Sequence, residues 1–246
     1  MAIKSPIFSI ITVNYNCATG LIKTIESVLK QQFDNYEYIV IDGESTDESL
    51  NVINKYQNHF AYWCSEPDKG IYDAMNKGIA HATGEWIIFL NSGDIFANND
   101  VLDEVEQHVS SSDYDIVYGD IVKEVNGVRI DVPAHEPCNF HHMFFCHQSC
   151  FVRTELMRKY TFDCRFKYSA DFNFFKKCYK DGRVFLHLHS PLICYDFNGV
   201  SNQNRKAALR DNIAVIKGLD SGFEKWMFIG RLRFSIMGIT LSQLFG

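Results

Sequence analysis

The 246-residue chain contains no Gly-x-Gly-x-x-Gly and no Gly-x-x-x-x-Gly-Lys-[Ser/Thr], which excludes the usual dinucleotide and P-loop phosphate cradles. It also lacks a surplus of positive charge. The net charge of −6 argues against a nucleic-acid partner, for which a basic surface is expected. The opening "MAIKSPIFSIITVNYN" has only a short apolar run and no small-residue cleavage site, so a first strand rather than a signal peptide is expected, and with it a cytoplasmic location. No internal repeat, low-complexity tract or Pro/Gly/Ser-rich linker appears, so the second half is expected to pack on the first. No apolar run spans a bilayer comfortably, because Arg231 and Arg233 interrupt the closest one, 224–246.

Paired metal knuckles are absent too. The eight cysteines (17, 64, 138, 146, 150, 164, 178 and 194) have no repeating spacing, which in an unexported chain predicts reduced thiols and no disulfides. "HHMFFCHQSC" gathers His141, His142, Cys146, His147 and Cys150 without a second knuckle, so a strand or core loop is expected there rather than zinc. His187 and His189 in "FLHLHSPL" are likewise read as core or surface histidines, at most one of them facing a site.

What is present is ample apolar material, 46% hydrophobic and 14% aromatic, enough for a sizeable core. "FSIITV" (8–13), "YEYIVID" (36–42), "FAYWC" (60–64) and "EWIIFL" (85–90) are short β-rich runs. Between them Leu21, Ile22, Ile25, Val28 and Leu29, then Leu50, Val52, Ile53 and Tyr56, then Ile71, Met75, Ile79 and Ala82 recur at helical spacing. Ser45 and Glu48 have the spacing of a capping box before the second helix. Strand and helix in alternation predict an α/β fold, a mainly parallel central sheet with helices on both faces. A helix "NDVLDEVEQHV", a strand "YDIVYGDIV" and a hairpin partner "VRIDV" follow.

In such a sheet, ligands bind beyond the carboxyl ends of the strands. Those ends read "NYN", "DGESTD", "SEPDKG" and "NSGD". Four polar turns converging on one edge predict a binding site. Acidic groups repel a bare diphosphate, so a divalent cation with oxygen ligands, magnesium or manganese, is expected to bridge. A carboxylate ending strand two suits a uracil N3–H, with a tyrosine ring to stack on the base.

"SIITVNYN", "YIVIDGESTDES" and "SEPDKGIYDAMNKGIAHATGEWIIFLNSGD" resemble the inverting family 2 glycosyltransferases of GT-A fold, and the third segment is similar to enzymes of bacterial colanic acid and O-antigen assembly. The resemblance runs from about residue 7 to 100, with echoes at "CHQSCFV", "FKYSADFNF" and "NGVS". It implies a nucleotide-diphospho-sugar transferase with Val13, Tyr15, Asp42, Asn91 and Ser92 at the donor, Asp94 on Mn2+ or Mg2+, and Asp171 as the catalytic base; Glu44, Asp68 and Lys69 at the strand ends, and Asp73 and Asn76 at the start of the third helix, are read as further donor contacts. The chain departs from the family at Gly43, where many relatives carry a second Asp, and in "NSGD", whose only carboxylate is Asp94.

On this reading residues 1–100 bind the donor, 101–204 bind the acceptor and carry the base, and 205–246 form a basic amphipathic tail. The tail holds seven Lys or Arg against three acids, which suits an in-plane segment on anionic lipid, with a packed C-terminal helix as the alternative. The implied function is transfer of a hexose or N-acetylhexosamine from a UDP-sugar to a saccharide on undecaprenyl diphosphate, for O-antigen or exopolysaccharide, on the inner face of the bacterial cytoplasmic membrane. A nucleotidyltransferase or nucleotide-sugar hydrolase on a related fold, or a non-catalytic nucleotide-sugar binder, are the other readings of the same residues.

Overall fold

The computed structural model describes residues 5–109, 113–125, 128–195 and 204–245. Strand β1 (Phe8–Asn14) is buried along its whole length, because helices cover both faces of the sheet it centres. Two of its polar members are satisfied inside the sheet: Ser9 donates to Glu37 Oε1 at 2.6 Å and Thr12 to the Leu90 carbonyl at 2.8 Å. Helix α1 (Ala18–Leu29) follows, then β2 (Tyr36–Asp42), α2 (Ser49–Tyr56), β3 (Tyr62–Ser65), α3 (Ile71–His81) and β4 (Trp86–Phe89). β3, β2, β1 and β4 lie side by side and parallel, as the alternation of strand and helix requires.

Beyond β4 the sheet continues. After β5 (Ile95–Phe96) and α4 (Val101–Val109) come β6 (Ile116–Val125), β7 (Val128–Val132), β8 (Cys150–Arg153), α5 (Thr154–Tyr160), α6 (Ala170–Lys180) and β9 (Phe185–Tyr195). β8 inserts antiparallel between β4 and β6, β9 runs parallel to β6, β5 closes the far edge, and β7 forms the expected hairpin on β6. One sheet therefore unites both halves of the chain.

Ile11, Ile41, Ile87 and Tyr118 point to a core shared with α3, α5 and α6. Ile10, Val40, Ile88 and Val117 point to the opposite core, with α1, α2 and α4. Each such fully buried aliphatic side chain contributes roughly 1.5–3 kcal/mol. All eight cysteines are free.

Two helices end the chain, α7 (Arg205–Leu219) and α8 (Gly222–Phe245). Phe228, Ile229 and Leu232 of α8 join Val215 and Ile216 of α7 and Phe172 of α6 in a third cluster. Lys176 of α6, with its side chain 3% exposed, reaches Asp220 between the helices at 2.9 Å, and Lys180 reaches the same carboxylate at 2.8 Å. The first half of the tail is thus a packed helix anchored to α6, and most of α8 from Arg233 onward is exposed.

Candidate active site

The ends of β1 and β2 are laced together. Asp42 is fully buried and accepts from Asn14 Nδ2 at 2.7 Å, the Ser45 amide and hydroxyl at 2.9 and 2.6 Å, and the Ser65 hydroxyl at 2.6 Å. The capping box expected at Ser45 and Glu48 does not form, because Asp42 recruits Ser45 and α2 starts at Ser49 without a side-chain cap. Asp47 serves the helices instead. Its two oxygens accept the Ala18 amide that opens α1 and the Ser49 amide that opens α2. Burial pushes its carboxyl up, and these hydrogen bonds, led by Ser49, pull it below the ordinary value.

Tyr15, 67% exposed, and Glu44, held at φ 61°, project from this lacework. A Cβ at residue 43 would overlap the tip of Asp68 and meet the Tyr15 ring at 3.3 Å, so a side chain there would have to displace Asp68. Val13 is buried, and its carbonyl takes the Ser92 amide.

Asp68 and Asp73 order the entry to α3 by accepting the Gly70 and Lys69 amides at 2.8 and 3.0 Å. The Lys69 side chain is exposed beside them. Asn76 is committed elsewhere: its amide group donates to the Phe162 carbonyl and accepts the Phe162 amide, at 2.8 and 2.9 Å, tying α3 to the segment before α6.

The turn after β4 depends on Gly93, at φ 106°, a value open to glycine without strain. Thr24 of α1 pins it, accepting the Gly93 amide at 3.0 Å and donating to the Asp94 carbonyl at 2.7 Å. Asp94 is buried, and Asn91 Oδ1 and Ser92 Oγ are buried without a hydrogen-bond partner. A buried polar atom left unpaired is costly, so these two oxygens are groups in need of a ligand.

Asp171 stands in the first turn of α6. The Tyr72 hydroxyl and the Phe172 amide donate to its Oδ1 at 2.8 Å each, and His147 Nδ1 lies 3.0 Å from its Oδ2. Burial raises the carboxyl's pKa, but the bond to His147, its charge, and the bond from Tyr72 outweigh burial and hold it below the ordinary value. Tyr72 is itself raised well above its usual range, by burial and then by the charge of Asp171, and stays a proton donor.

His147 opens a short 3-10 turn, His147–Ser149, with its Nε2 buried and unpartnered. Burial pushes the preceding Cys146 thiol up to about 12, and the charges of Asp94 and Asp171 both add to the rise. A pocket of about 230 Å³ is lined by Gly119, Val132, Ala134, His135, Phe144 and Cys146.

The structure therefore brings Asp42, Tyr15, Asp68, Asp94 and Asp171 to one edge, and sequence reasoning missed His147 and Thr24 as parts of it. "HHMFFCHQSC" gave a hint of His147, but only pairing across the fold reveals its partner. His187 has a buried side chain and His189 is exposed, with ring centroids 4.0 Å apart beside a bulge in the β6–β9 ladder. The "NGVS" segment lies outside the described residues.

The chain is similar to known glycosyltransferases. The chain is 30% identical over 205 residues, 80% of each chain, to a PGL/p-HBAD biosynthesis glycosyltransferase of Mycobacterium bovis. It is 44% identical over 108 residues, 44% of this chain and 41% of the other, to an uncharacterized glycosyltransferase of Mycobacterium tuberculosis.

Its fold is similar to that of Staphylococcus aureus TarS in complex with UDP-GlcNAc, with a TM-score of 0.70 and 20% identity over 92% of this chain and 71% of TarS 1–349. It is also similar to the mannosyltransferase PcManGT of Pyrobaculum calidifontis in complex with GDP-Man and Mn2+, with a TM-score of 0.68 and 14% identity over 95% of this chain and 70% of that one. The architecture is thus the GT-A fold the resemblance implied. Residues 9–180, from β1 to the end of the helix carrying Asp171, match the family described as Glycosyl transferase family 2, and the chain belongs to it.

Proposed function

We propose that this glycosyltransferase moves a hexose or N-acetylhexosamine from a UDP-sugar, with inversion, to a saccharide carried on a lipid diphosphate such as undecaprenyl diphosphate. The observation that carries the reading is Asp171, an ionised acid in the first turn of α6 held by Tyr72, His147 and the Phe172 amide. A single displacement needs one carboxylate to take the acceptor's proton. Tyr72 and His147 fix which oxygen of Asp171 faces the acceptor, and they keep it deprotonated at neutral pH.

At the donor, Tyr15 offers a ring to the uracil face, and Asp42 accepts the base N3–H by exchange with a serine hydroxyl, which can rotate away. Glu44, Asp68, Lys69, Asp73 and Asn91 line the approach, and Asn76 acts through the packing of α3. The residues of the 91–94 turn fit a hard divalent cation: the Asp94 carboxylate stands with two unpaired side-chain oxygens, Asn91 Oδ1 and Ser92 Oγ, a donor set suited to Mn2+ or Mg2+. When bound, such an ion neutralises the departing diphosphate.

Supporting the lipid-borne acceptor is the exposed stripe of α8. Phe223, Trp226, Phe234, Met237 and Leu241 are all exposed and fall within roughly 80° of one another at 3.6 residues per turn, on the side opposite buried Phe228 and Leu232. Arg231 and Arg233 flank the stripe. A helix apolar on both faces, with cations at the margins of the outer one, suits the plane of an anionic membrane on the cytosolic side. Among the described residues no helix is long and apolar enough to cross one.

The test is a panel of labelled UDP-sugars with short lipid-diphosphate saccharides, with and without Mn2+. Free UDP released only with acceptor, and a β-linked product from an α-linked donor, are expected. In Asp171→Asn the turnover number should fall by roughly a hundredfold or more while UDP affinity holds, as loss of a general base requires. UDP release without acceptor would make the protein a hydrolase, and an α-linked product would withdraw Asp171 as the base.

A further inference from the structure

We infer that Glu136, His187 and His189 form a zinc site, separate from the Asp94 turn, that clamps the segment 133–146 to β9. One ligand atom from each residue lies within 4.8 Å of the others, and His187 Nδ1 stands 3.1 Å from Glu136 Oε1. In a tetrahedral site with bonds near 2.1 Å, ligand atoms are roughly 3.3–3.5 Å apart. The Glu136–His187 pair is already close to that spacing. Glu136, with its side chain 72% exposed, and His189, also exposed, are free to rotate the remaining distance.

The support behind His187 is what a metal-binding imidazole needs. Its Nε2 meets Asp120 Oδ1 at 2.9 Å, and the same oxygen accepts the Ala134 amide at 2.9 Å. A carboxylate on one ring nitrogen fixes the tautomer and makes the other nitrogen the better ligand. The ring is held flat against Tyr118, with centroids 4.7 Å apart and planes within 8°.

His189 is placed by an irregularity. The β6–β9 register passes from Gly119↔Leu188 to Asp120↔Pro191, so His189 and Ser190 are inserted residues that bulge from the ladder beside Glu136. Bulges of this kind re-aim side chains.

The ligand chemistry separates this cluster from the Asp94 turn. Two imidazoles and a carboxylate suit Zn2+, whereas the oxygens of the turn suit Mg2+ or Mn2+. Glu136 lies on the segment that also contributes His135, Phe144 and Cys146 to the pocket and leads directly to His147. A zinc ion would therefore brace the wall of the acceptor side without touching the reacting groups.

The experiment titrates the full-length chain, stripped of metal and free of nucleotide, with Zn2+ alone, and repeats the titration with Co2+ read by visible absorption. About one equivalent should bind, with the intense visible bands of a four-coordinate ion, and should raise the Tm. His189→Ala and Glu136→Gln, both at exposed positions, should each weaken Zn2+ binding by roughly tenfold or more, and Asp120→Asn by roughly ten- to hundredfold. Asp94→Ala should leave this binding intact. If the wild type takes up no Zn2+, or if His189→Ala binds it as tightly as the wild type, the cluster is only a hydrogen-bonded pin for the segment and the site is withdrawn. If Asp94→Ala abolishes the binding, the zinc was reading the donor turn.

Discussion

Asp171 is caught between opposing influences, since burial favours its neutral form and His147 and Tyr72 favour the charged one. The charged form prevails, and His147 is the largest contributor to that. His147→Ala should therefore raise the carboxyl's pKa and move the acid limb of the kcat/KM profile to higher pH, because a base works only while ionised. Activity at pH 6 should fall more than at pH 8, with UDP affinity unchanged. An equal fall at every pH, with the limb unmoved, would leave His147 a packing role.

The stability contribution has a matching sign. A depressed carboxyl stabilises the fold above its unfolded value and loses that stabilisation as pH falls through the folded one. Wild type should accordingly lose more stability than His147→Ala below the ordinary Asp value of 3.8.

At the scale of elements, the turn 91–94 owes its shape to α1 as much as to its own residues. Thr24→Val preserves size but removes the hydroxyl shared by the Gly93 amide and the Asp94 carbonyl, at a cost of about 1–3 kcal/mol for the groups left unpaired. Mn2+-dependent UDP binding should weaken together with the Tm, and Thr24→Ser should restore both. Restored stability without restored metal dependence would detach the turn from metal binding.

β1 to β4 and their helices were legible in the sequence because period-two and period-3.6 patterns are local. "CFVR" was not, since its antiparallel insertion between β4 and β6 depends on chain far away on either side. The same holds inside the site. Asp94 stood out as the one acid of a strand-end turn and Asp171 only through the family resemblance, whereas Thr24 looked like any polar position on a helix, and Ser45 looked like a cap until Asp42 claimed it.

At the scale of the whole molecule, the terminal helix has one packed face and one exposed face, and the two should separate experimentally. Its inner face, Phe228, Ile229 and Leu232, fills a cluster with Phe172, the neighbour of Asp171, and the buried Lys176–Asp220 pair locks the preceding turn. Removing one member of such a pair costs about 3–5 kcal/mol, so Asp220→Ala should lower the Tm and loosen α6.

Deleting 234–246 instead takes away Phe234, Met237 and Leu241, all exposed, and leaves the inner face whole. That truncation should stay folded, bind UDP and turn over a short water-soluble acceptor, yet sediment poorly with anionic vesicles, since apolar insertion and charge attraction act together. Deleting from 224 onward strips the cover from Phe172, Val215 and Ile216 and should unfold the end of the chain. If the 234–246 truncation still sediments like the full chain, lipid is not what the outer stripe meets, and the acceptor must reach Asp171 by another surface.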